Sequence, residues 1–214
     1  MSYELVCLDL ETMIGEGISQ EPSWASFKER KGLEDKDAAL YAEFGQVAVS
    51  AVMRLDLDFN CIQEPRAYVA QTREDEAGIL ETMYPVLNRG NTVLCGHAIK
   101  GYDIPFLAKR YCAHRMAVPL SLQCSGRKPW EIIHVDSMEV ARFGGASPMS
   151  LESLCLLLGV PTPKSKMHGC DVAKAIQEGK WQEVAEYGKG DVVATAACLG
   201  KLYQCGAFFF PPPR

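Results

Sequence analysis

Five side chains in three separate segments have types and spacings suited to one kind of chemistry. Asp9 and Glu11 stand two apart at the end of an apolar run, and residues two apart on a strand project from the same face. Asp103 follows a second apolar run, while Tyr187 and Asp191 are four residues apart, which places them on one face of a helix. Four carboxylates are the kind of ligand that hard divalent cations such as Mg²⁺ and Mn²⁺ prefer.

Each segment taken alone also has an ordinary structural explanation. Asp9 could close a strand, Asp103 could cap the start of a helix, and Tyr187 could lie on a solvated helix face. Gly188 and Gly190 argue against the last explanation, because glycine inside a helix costs about 0.8–1.0 kcal/mol relative to alanine. Two such glycines beside the pair predict that something approaches the helix backbone closely.

The elements that must position these side chains follow from the hydrophobic pattern. Short apolar or alternating runs predict strands, and apolar residues at i, i+3 and i+4 predict helices. Pro85 should kink or shorten the helix that contains it. The order of elements predicts one α/β domain over residues 1–214, with a mixed central five-stranded sheet flanked by helices. The predicted strands are 4–10, 47–55, 67–70, 92–95 and 132–135, and the predicted helices are 74–88, 103–115, 151–158, 171–178 and 181–203.

Two segments of the chain have no single assignment. Residues 13–44 are long for a connection inside a compact domain, so they are either a functional loop or disordered. Within them, residues 37–44 could form a short helix. The tail 208–214 has three phenylalanines followed by three prolines, and it is either held by its aromatic rings or frayed.

Composition narrows the class of protein. The 22 basic and 27 acidic residues leave a net charge of −5, which argues against a passive, charge-driven binder of nucleic acid. It does not exclude an enzyme that holds its substrate through bound cations. No apolar run reaches the ~18 residues of a membrane span, and no secretion signal is visible, so we expect a cytoplasmic protein. The nine cysteines lack metal-site spacing and are expected to be reduced core thiols.

In chain order, the three segments resemble the motifs of the DEDD superfamily of 3′-5′ exonucleases, in its tyrosine branch. The histidine branch would place a histidine five residues before the last aspartate, where this chain has Glu186. The resemblance extends to the exonuclease motifs of family B DNA polymerases and to free-standing predicted exonucleases related to them. It covers about residues 4–203 and implies an RNase H-like fold without a polymerase domain. The similar segments are 6–12, 96–107, 128–130, 134–136 and 150–159.

The resemblance implies a role for each of the five side chains. Asp9, Glu11 and Asp191 would hold the cation that generates the attacking hydroxide, with Asp9 bridging to a second cation and Asp103 acting largely through water. Two Mg²⁺ or Mn²⁺ ions would then clamp the displacement at phosphorus. Tyr187 would orient the attacking water, because a phenol with a pKa of about 10 suits that task better than removing a proton.

The implied substrate is the 3′ end of a single strand of nucleic acid, with DNA favoured and nucleoside 5′-monophosphates released. An exoribonuclease of the same fold and a catalytically impaired binding module are the alternatives, because nothing in the sequence identifies a reader of the 2′-hydroxyl. Protein partners and oligomeric state are not specified by the sequence. The residues implied to contact the strand are Leu10, Thr12, His97, Tyr102 and Phe106.

Several residues near these motifs have a second interpretation. The family usually has asparagine five residues before the second-motif aspartate, where this chain has Ala98. The change bears on substrate affinity or register at the 3′ end, and metal binding should survive it. Asp136 either supports the site or closes a strand, and His97 and His168 are interpreted as loop residues and not metal ligands. The basic residues that could follow phosphates, or form a solvated helix face, are Lys100, Lys109, Arg110 and Arg115.

Overall fold

The structure is a computed structural model that describes residues 3–128, 131–162 and 167–210. Pro129 and Trp130, in the similar segment 128–130, lie outside the described residues, and so do residues 211–214 at the end of the tail. Within the described ranges, no helix combines the length and apolar character needed to cross a membrane.

In the described part of the chain, five strands form one mixed sheet, as the sequence predicted, in the order β3-β2-β1-β4-β5. β2 runs antiparallel to both β1 and β3, whereas β4 runs parallel to β1 and β5 parallel to β4. β1 is central and covered on both faces, which explains why its first half reads as a continuous apolar run. The strands are β1 (Glu4–Ile14), β2 (Gly45–Leu55), β3 (Cys61–Val69), β4 (Thr92–Gly96) and β5 (Val135–Asp136).

Helices cover both faces of the sheet. On one face, β1 contributes Val6, Leu8 and Leu10 to a core shared with α2 and α3. On the other face, Leu5 and Cys7 of β1 pack against α7. The helices are α1 (Pro22–Lys31), α2 (Arg73–Leu87), α3 (Asp103–Ala113), α4 (Ser137–Ala141), α5 (Leu151–Leu158), α6 (Gly169–Gln177) and α7 (Trp181–Gln204), with 3-10 turns at Ile18–Gln20, Asp35–Leu40 and Leu120–Leu122.

Several predicted boundaries at the edges of the sheet were inaccurate. β3 begins at Cys61, six residues before its predicted start, because it is a largely exposed edge strand whose polar residues and Pro65 hide the strand pattern. β5 has only two residues, at 135–136 and not at 132–135. The short helix α4 was not predicted. α2 continues to Leu87, past Pro85, so Pro85 does not end it.

The segment 13–44 is folded and not disordered. β1 extends to Ile14, α1 begins with Pro22 at a position that needs no amide donor, and the helix predicted near 37–44 is a 3-10 turn. Trp24 is fully buried, and its ring centroid lies 5.0 Å from that of Phe44. Its indole nitrogen donates to Asp35 at 2.9 Å. The segment thus brings an aromatic core of its own to the end of β1.

The tail agrees with one of its two expectations, and the cysteines agree with theirs only in part. Cys7, Cys95, Cys155 and Cys198 are buried, whereas Cys61, Cys112, Cys170 and Cys205 are exposed, and no disulfide bond joins the cysteines, all of which lie in the described part of the chain. The tail is held by its aromatic rings as far as Phe210, which is buried. Its ring centroid lies 5.6 Å from that of Tyr3.

Candidate active site

Asp9, Glu11 and Asp191 form a carboxylate cluster where α7 crosses the sheet. One carboxylate oxygen from each of the three lies within 4.8 Å of the others. Asp9 and Glu11 continue the alternation that points Cys7 toward α7, so β1 turns both acids to the same side. The structure therefore brings together three of the four predicted metal ligands, from segments 180 residues apart in the chain.

Gly188 allows α7 to approach the strands at this point. A Cβ atom at Gly188 would lie 3.3 Å from the Cβ of Ala51 and 3.8 Å from Oδ2 of Asp9. The close approach that the sequence predicted from the glycines of this helix is therefore an approach to β2 and to the first catalytic candidate. A side chain here would push the helix, and Asp191 with it, away from Asp9.

The charge of Asp9 is disfavoured in this environment. Burial raises the pKa of Asp9 well above its ordinary value, and the charges of Glu11, Asp103 and Asp191 raise it further. Its Oδ2 is buried and has no hydrogen-bond partner among the described residues. Three converging carboxylates with such an oxygen fit a hard divalent cation, which would supply the positive charge that these neighbours do not.

Asp103, the first residue of α3, contacts β1 beside the cluster. Pairing of β1 with β4 ends at Cys7 and Cys95, and further along β1 the Leu10 amide donates to Oδ1 of Asp103 at 3.0 Å. Burial raises the pKa of Asp103 to about 7, and the charge of Asp136 contributes to the rise. Asp103 is not among the three acids whose oxygens converge, so its share in metal binding stays a prediction.

Tyr187 lies against the cluster with its hydroxyl directed at Asp191. The side chain is 8% exposed, and burial followed by the charges of Asp191 and Glu11 raises the pKa of Tyr187 well above its ordinary value, as does its hydrogen bond with Asp191. The phenol therefore keeps its proton at neutral pH and can act as a donor but not as a base. Gly169, at the start of α6, leaves room beside this hydroxyl, since a Cβ there would lie 3.7 Å from it.

The residues predicted to contact a strand differ in exposure. Leu10 and Phe106 pack in the core, at 6% and 4% exposure, so a strand would reach at most the edges of these side chains. Thr12 and Tyr102 are half-buried, and their hydroxyl oxygens are 2.8 Å apart. His97 is half-buried, with Nδ1 2.8 Å from the Ser137 hydroxyl and Nε2 2.9 Å from the Met149 carbonyl. Contact of these five residues with nucleic acid stays a prediction.

One of the basic residues that were predicted to contact phosphates or to lie on a solvated helix face is instead buried in an ion pair. Arg110 is 5% exposed, and its guanidinium donates to both oxygens of Glu76 at 2.8 and 2.6 Å. The prediction failed because Glu76 occupies a position on the buried face of α2, three residues before Ile79, and an acid there requires a partner. That spacing is the signal by which the buried pair could have been found.

Two other basic residues of this group, one on α3 and one just before it, pair with surface acids. Lys109 lies 2.7 Å from Glu43, and the Lys100 ammonium lies 2.6 Å from Glu139. Arg115 is exposed and follows the end of α3. Contact of these three residues with phosphates stays a prediction.

The fold is similar to that of solved structures of exonuclease I. The apo enzyme shares 14% identity with a TM-score of 0.58, covering 95% of this chain and 42% of that one. A product-bound exonuclease I shares 13% with a TM-score of 0.58, covering 95% and 44%. The E. coli enzyme in complex with a dT13 oligonucleotide shares 14% with a TM-score of 0.56, covering 94% and 41%. This likeness shows the RNase H-like fold, and the chain spans less than half the length of those proteins.

Residues 43–202 match the family described as a predicted 3′-5′ exonuclease related to the exonuclease domain of PolB. Because the match covers well over half of the chain, the chain belongs to this family. The matched region contains Asp103, Tyr187 and Asp191, and it begins after Asp9 and Glu11. Asp9 and Glu11 lie outside the matched region, and in the fold β1 places them against Asp191. No curated protein sequence matches the chain.

Proposed function

We propose that this chain is a metal-dependent 3′-5′ exonuclease that acts on single-stranded nucleic acid, with DNA as the favoured substrate and nucleoside 5′-monophosphates as products. The observation that carries the proposal is the carboxylate cluster, in which Asp9, Glu11 and Asp191 converge to within 4.8 Å. Such a cluster destabilises the folded chain through mutual repulsion. Its retention inside a fold of this family points to a bound cation as its purpose.

Asp9, Glu11 and Asp191 would hold a divalent cation, Mg²⁺ or Mn²⁺, and Asp103 would support a second one through water. When bound, such cations stabilise charge at phosphorus and on the leaving oxygen and lower the pKa of water. The donor set supports this choice, because it consists of carboxylate oxygens, which suit magnesium and manganese better than softer metals.

Tyr187 would orient the attacking water with its hydroxyl group. Its raised pKa keeps the phenol protonated, and its hydrogen bond with Asp191 fixes the hydroxyl beside the cluster. With its proton directed at Asp191, the fixed hydroxyl would accept a hydrogen bond from the attacking water and restrict it to one direction, and such orientation contributes to the rate by reducing the entropy lost on the way to the transition state.

Single-stranded DNA is favoured as the substrate because a protein with the same fold has been solved in complex with DNA oligonucleotides. Exonuclease I, whose fold the chain shares, is described in complex with dT13 oligonucleotides. The half-buried Thr12 and Tyr102 lie next to Glu11 and Asp103 along the chain, where the terminal nucleotide of a strand would sit. An RNA substrate would place a 2′-hydroxyl in the same region, and the experiment below distinguishes the two substrates.

The proposal is tested with single-stranded DNA and RNA oligonucleotides labelled at either end, incubated with Mg²⁺, Mn²⁺ or EDTA. We expect 5′-labelled DNA to shorten stepwise and 3′-labelled DNA to release a labelled mononucleotide at once, only with a divalent cation. The Asp9→Ala variant, prepared in parallel, controls for a contaminating nuclease. Undiminished cleavage in EDTA, or loss of the 5′ label first, would overturn the proposal, and faster cleavage of RNA would make the chain an exoribonuclease.

A further inference from the structure

The loop between β4 and α3, residues 97–102, leads directly into Asp103, and it is held from one side by a buried acid. We propose that Asp136 is a positioning residue, which fixes this β4–α3 loop and through it the place of Asp103 relative to Asp9 and Glu11. The inference rests on the proposed function for its catalytic consequence, and on hydrogen bonds alone for its structural one.

Asp136 ends β5 beside the loop and is 4% exposed. Its Oδ1 accepts a hydrogen bond from the Ala98 amide at 3.0 Å, and its Oδ2 accepts one from the Lys100 amide at 3.1 Å. Hydrogen bonds to a charged acceptor are about twice as strong as those between neutral groups. One carboxylate therefore ties two amides of the β4–α3 loop to the end of the neighbouring strand.

The loop has a conformation that needs such support. Ala98 has a φ of 60°, in the left-handed region that costs a residue with a side chain about 1–2 kcal/mol. At Gly96 a Cβ would lie 2.6 Å from the Cβ of Ile99 and 2.9 Å from the Leu8 carbonyl oxygen, so the chain folds back tightly against β1. The strain at Ala98 favours a more open loop, and the two hydrogen bonds that Asp136 accepts stabilise the closed conformation.

The loop transmits its position to Asp103. The amides of Gly101 and Tyr102 donate to the Ala98 carbonyl at 3.0 and 3.1 Å, which forms the turn that begins α3. Asp103 is the first residue of that helix and accepts from the Leu10 amide. Because Leu10 stands between Asp9 and Glu11, a shift of the loop would move Asp103 relative to the cluster.

Asp136 has a second set of contacts that offers a simpler explanation. Its Oδ1 also accepts from the amides of Met138 and Glu139 at 3.0 and 3.3 Å, which makes it the N-cap of α4. If capping were its whole role, loss of the carboxylate would destabilise α4 and leave Asp103 in place. The hydrogen bond between Leu10 and Asp103 reports which explanation holds, because it lies outside α4.

The decisive measurement is amide hydrogen exchange in the Asp136→Asn variant of the full chain. The amide group replaces one acceptor oxygen with a donor, so exchange should accelerate at Ala98, Lys100 and, through Asp103, at Leu10, each by about tenfold or more. In the same variant, kcat should fall by at least about tenfold while KM changes by less than about threefold. Unchanged exchange at Leu10 alongside faster exchange at Met138 would overturn the proposal in favour of capping alone.

A matched control and a rescue complete the test. Asp75 accepts from the amides of Gln71 and Thr72 at 3.1 and 3.0 Å at the start of α2, so Asp75→Asn removes a similar pair of bonds away from the loop and should leave Leu10 unchanged. Adding Ala98→Asn to Asp136→Asn should restore part of the Leu10 protection, because asparagine enters the left-handed region more readily than alanine. Failure of this rescue would contradict the role assigned to the loop.

The two proposals fail in different ways. If the wild-type chain cleaves no nucleic acid with any divalent cation, the proposed function is wrong, and the exchange at Leu10 still decides whether Asp136 positions Asp103. If the wild type cleaves and Asp136→Asn cleaves equally fast, the proposed function stands and the positioning role is wrong.

Discussion

The acidic site at Glu76 and the half-buried carboxylate cluster at Asp9 are built in opposite ways. Glu76 is fully buried, and its carboxylate accepts from Arg110 at 2.8 and 2.6 Å and from His114 at 2.7 Å. Burial alone would raise the pKa of Glu76, yet the hydrogen bonds from Arg110, the Val47 amide and His114 hold it below its ordinary value. The fold itself supplies the positive charge that this acid needs.

Asp9, in the carboxylate cluster, has no cation among the charged groups that shift its pKa. The charged groups that shift the pKa of Asp9 are the acids Glu11, Asp103 and Asp191, and all of them raise it. An acid such as Glu76, paired with a cationic side chain of the same protein, helps to hold one folded arrangement. Removing the cationic partner lowers the free energy of unfolding considerably. Under the proposed function, the carboxylate cluster instead depends on a cation from outside and would contribute to binding and catalysis. The comparison predicts that the same kind of mutation has opposite consequences at the two sites.

The largest expected effect is on cleavage, at the cluster. Asp9→Ala should reduce the rate by about 10³-fold or more, because metal-assisted charge stabilisation contributes several kcal/mol. Thermal unfolding in EDTA should occur at an equal or higher temperature than in the wild type, since one repelling charge is gone. Initial rates and melting curves measure both, with the exposed Asp58→Ala as control. Near-normal turnover would show that Asp9 is not a ligand.

The next effect is on stability, at the paired acid. Arg110→Met leaves Glu76 buried without its main partner and should lower the free energy of unfolding by about 3–5 kcal/mol, with little change in the rate per folded molecule. Urea unfolding measures it. The matched control is Lys109→Met, which removes an exposed ion pair with Glu43 that is worth about 0–1 kcal/mol. Equal losses for the two variants would break the comparison.

The two sites should also respond to pH with opposite signs. The pKa of Asp103 is raised by burial to about 7, so its contribution to stability is present below the ordinary pKa and is lost as pH rises through 7. In EDTA, the stability of the wild type relative to Asp103→Asn should therefore fall between pH 4 and 8, by on the order of 3 kcal/mol. Unfolding curves at several pH values measure this difference.

The paired acid provides the control for this pH dependence. The pKa of Glu76 is lowered in the fold, so its contribution is present above the ordinary pKa and is lost as pH falls through the folded value. The stability of the wild type relative to Glu76→Gln should therefore rise with pH over the acidic range. If both differences changed in the same direction, the electrostatic contrast between the sites would be wrong.

A smaller effect is expected from the phenol at the edge of the cluster. Tyr187→Phe should lower kcat by at least about tenfold, because a misplaced nucleophile loses effective molarity, with nearly unchanged dependence on Mg²⁺ and unchanged strand binding. Tyr203→Phe, on the same helix, is the control. A kcat within about twofold of wild type would mean that Tyr187 is only a packing residue. A weakened metal dependence would mean that the phenol is a ligand.

The smallest effect concerns a third kind of buried acid, Asp136, which is satisfied by amide donors and not by cations. The strained residue that it holds is Ala98, so Ala98→Asn should stabilise the chain by about 1 kcal/mol and Ala98→Val should destabilise it. Thermal unfolding of the two variants measures the difference. If asparagine and valine had equal effects, the backbone conformation of Ala98 would not be a source of strain.

Local patterns in the sequence determined on which face of its strand or helix each of these candidate site residues lies. Asp9 and Glu11 were placed on one side of a strand because strand side chains alternate, and Tyr187 and Asp191 on one side of a helix because helix neighbours recur at four. Both relations hold whatever the chain does elsewhere, and both are confirmed. The α/β class follows from the same local periods, and the resemblance of the motifs agrees with the family that the chain belongs to.

The tertiary structure alone decided which of these faces meet. The approach of α7 to Asp9 depends on a strand order that puts β1 at the centre and on Gly188 fitting against Ala51. Arg110 looked like a surface residue because its partner, Glu76, lies on another helix, 34 positions away. The two amides that Asp136 holds are likewise 38 and 36 positions away. Such contacts depend on how the elements pack against one another, and a local sequence pattern does not determine that packing.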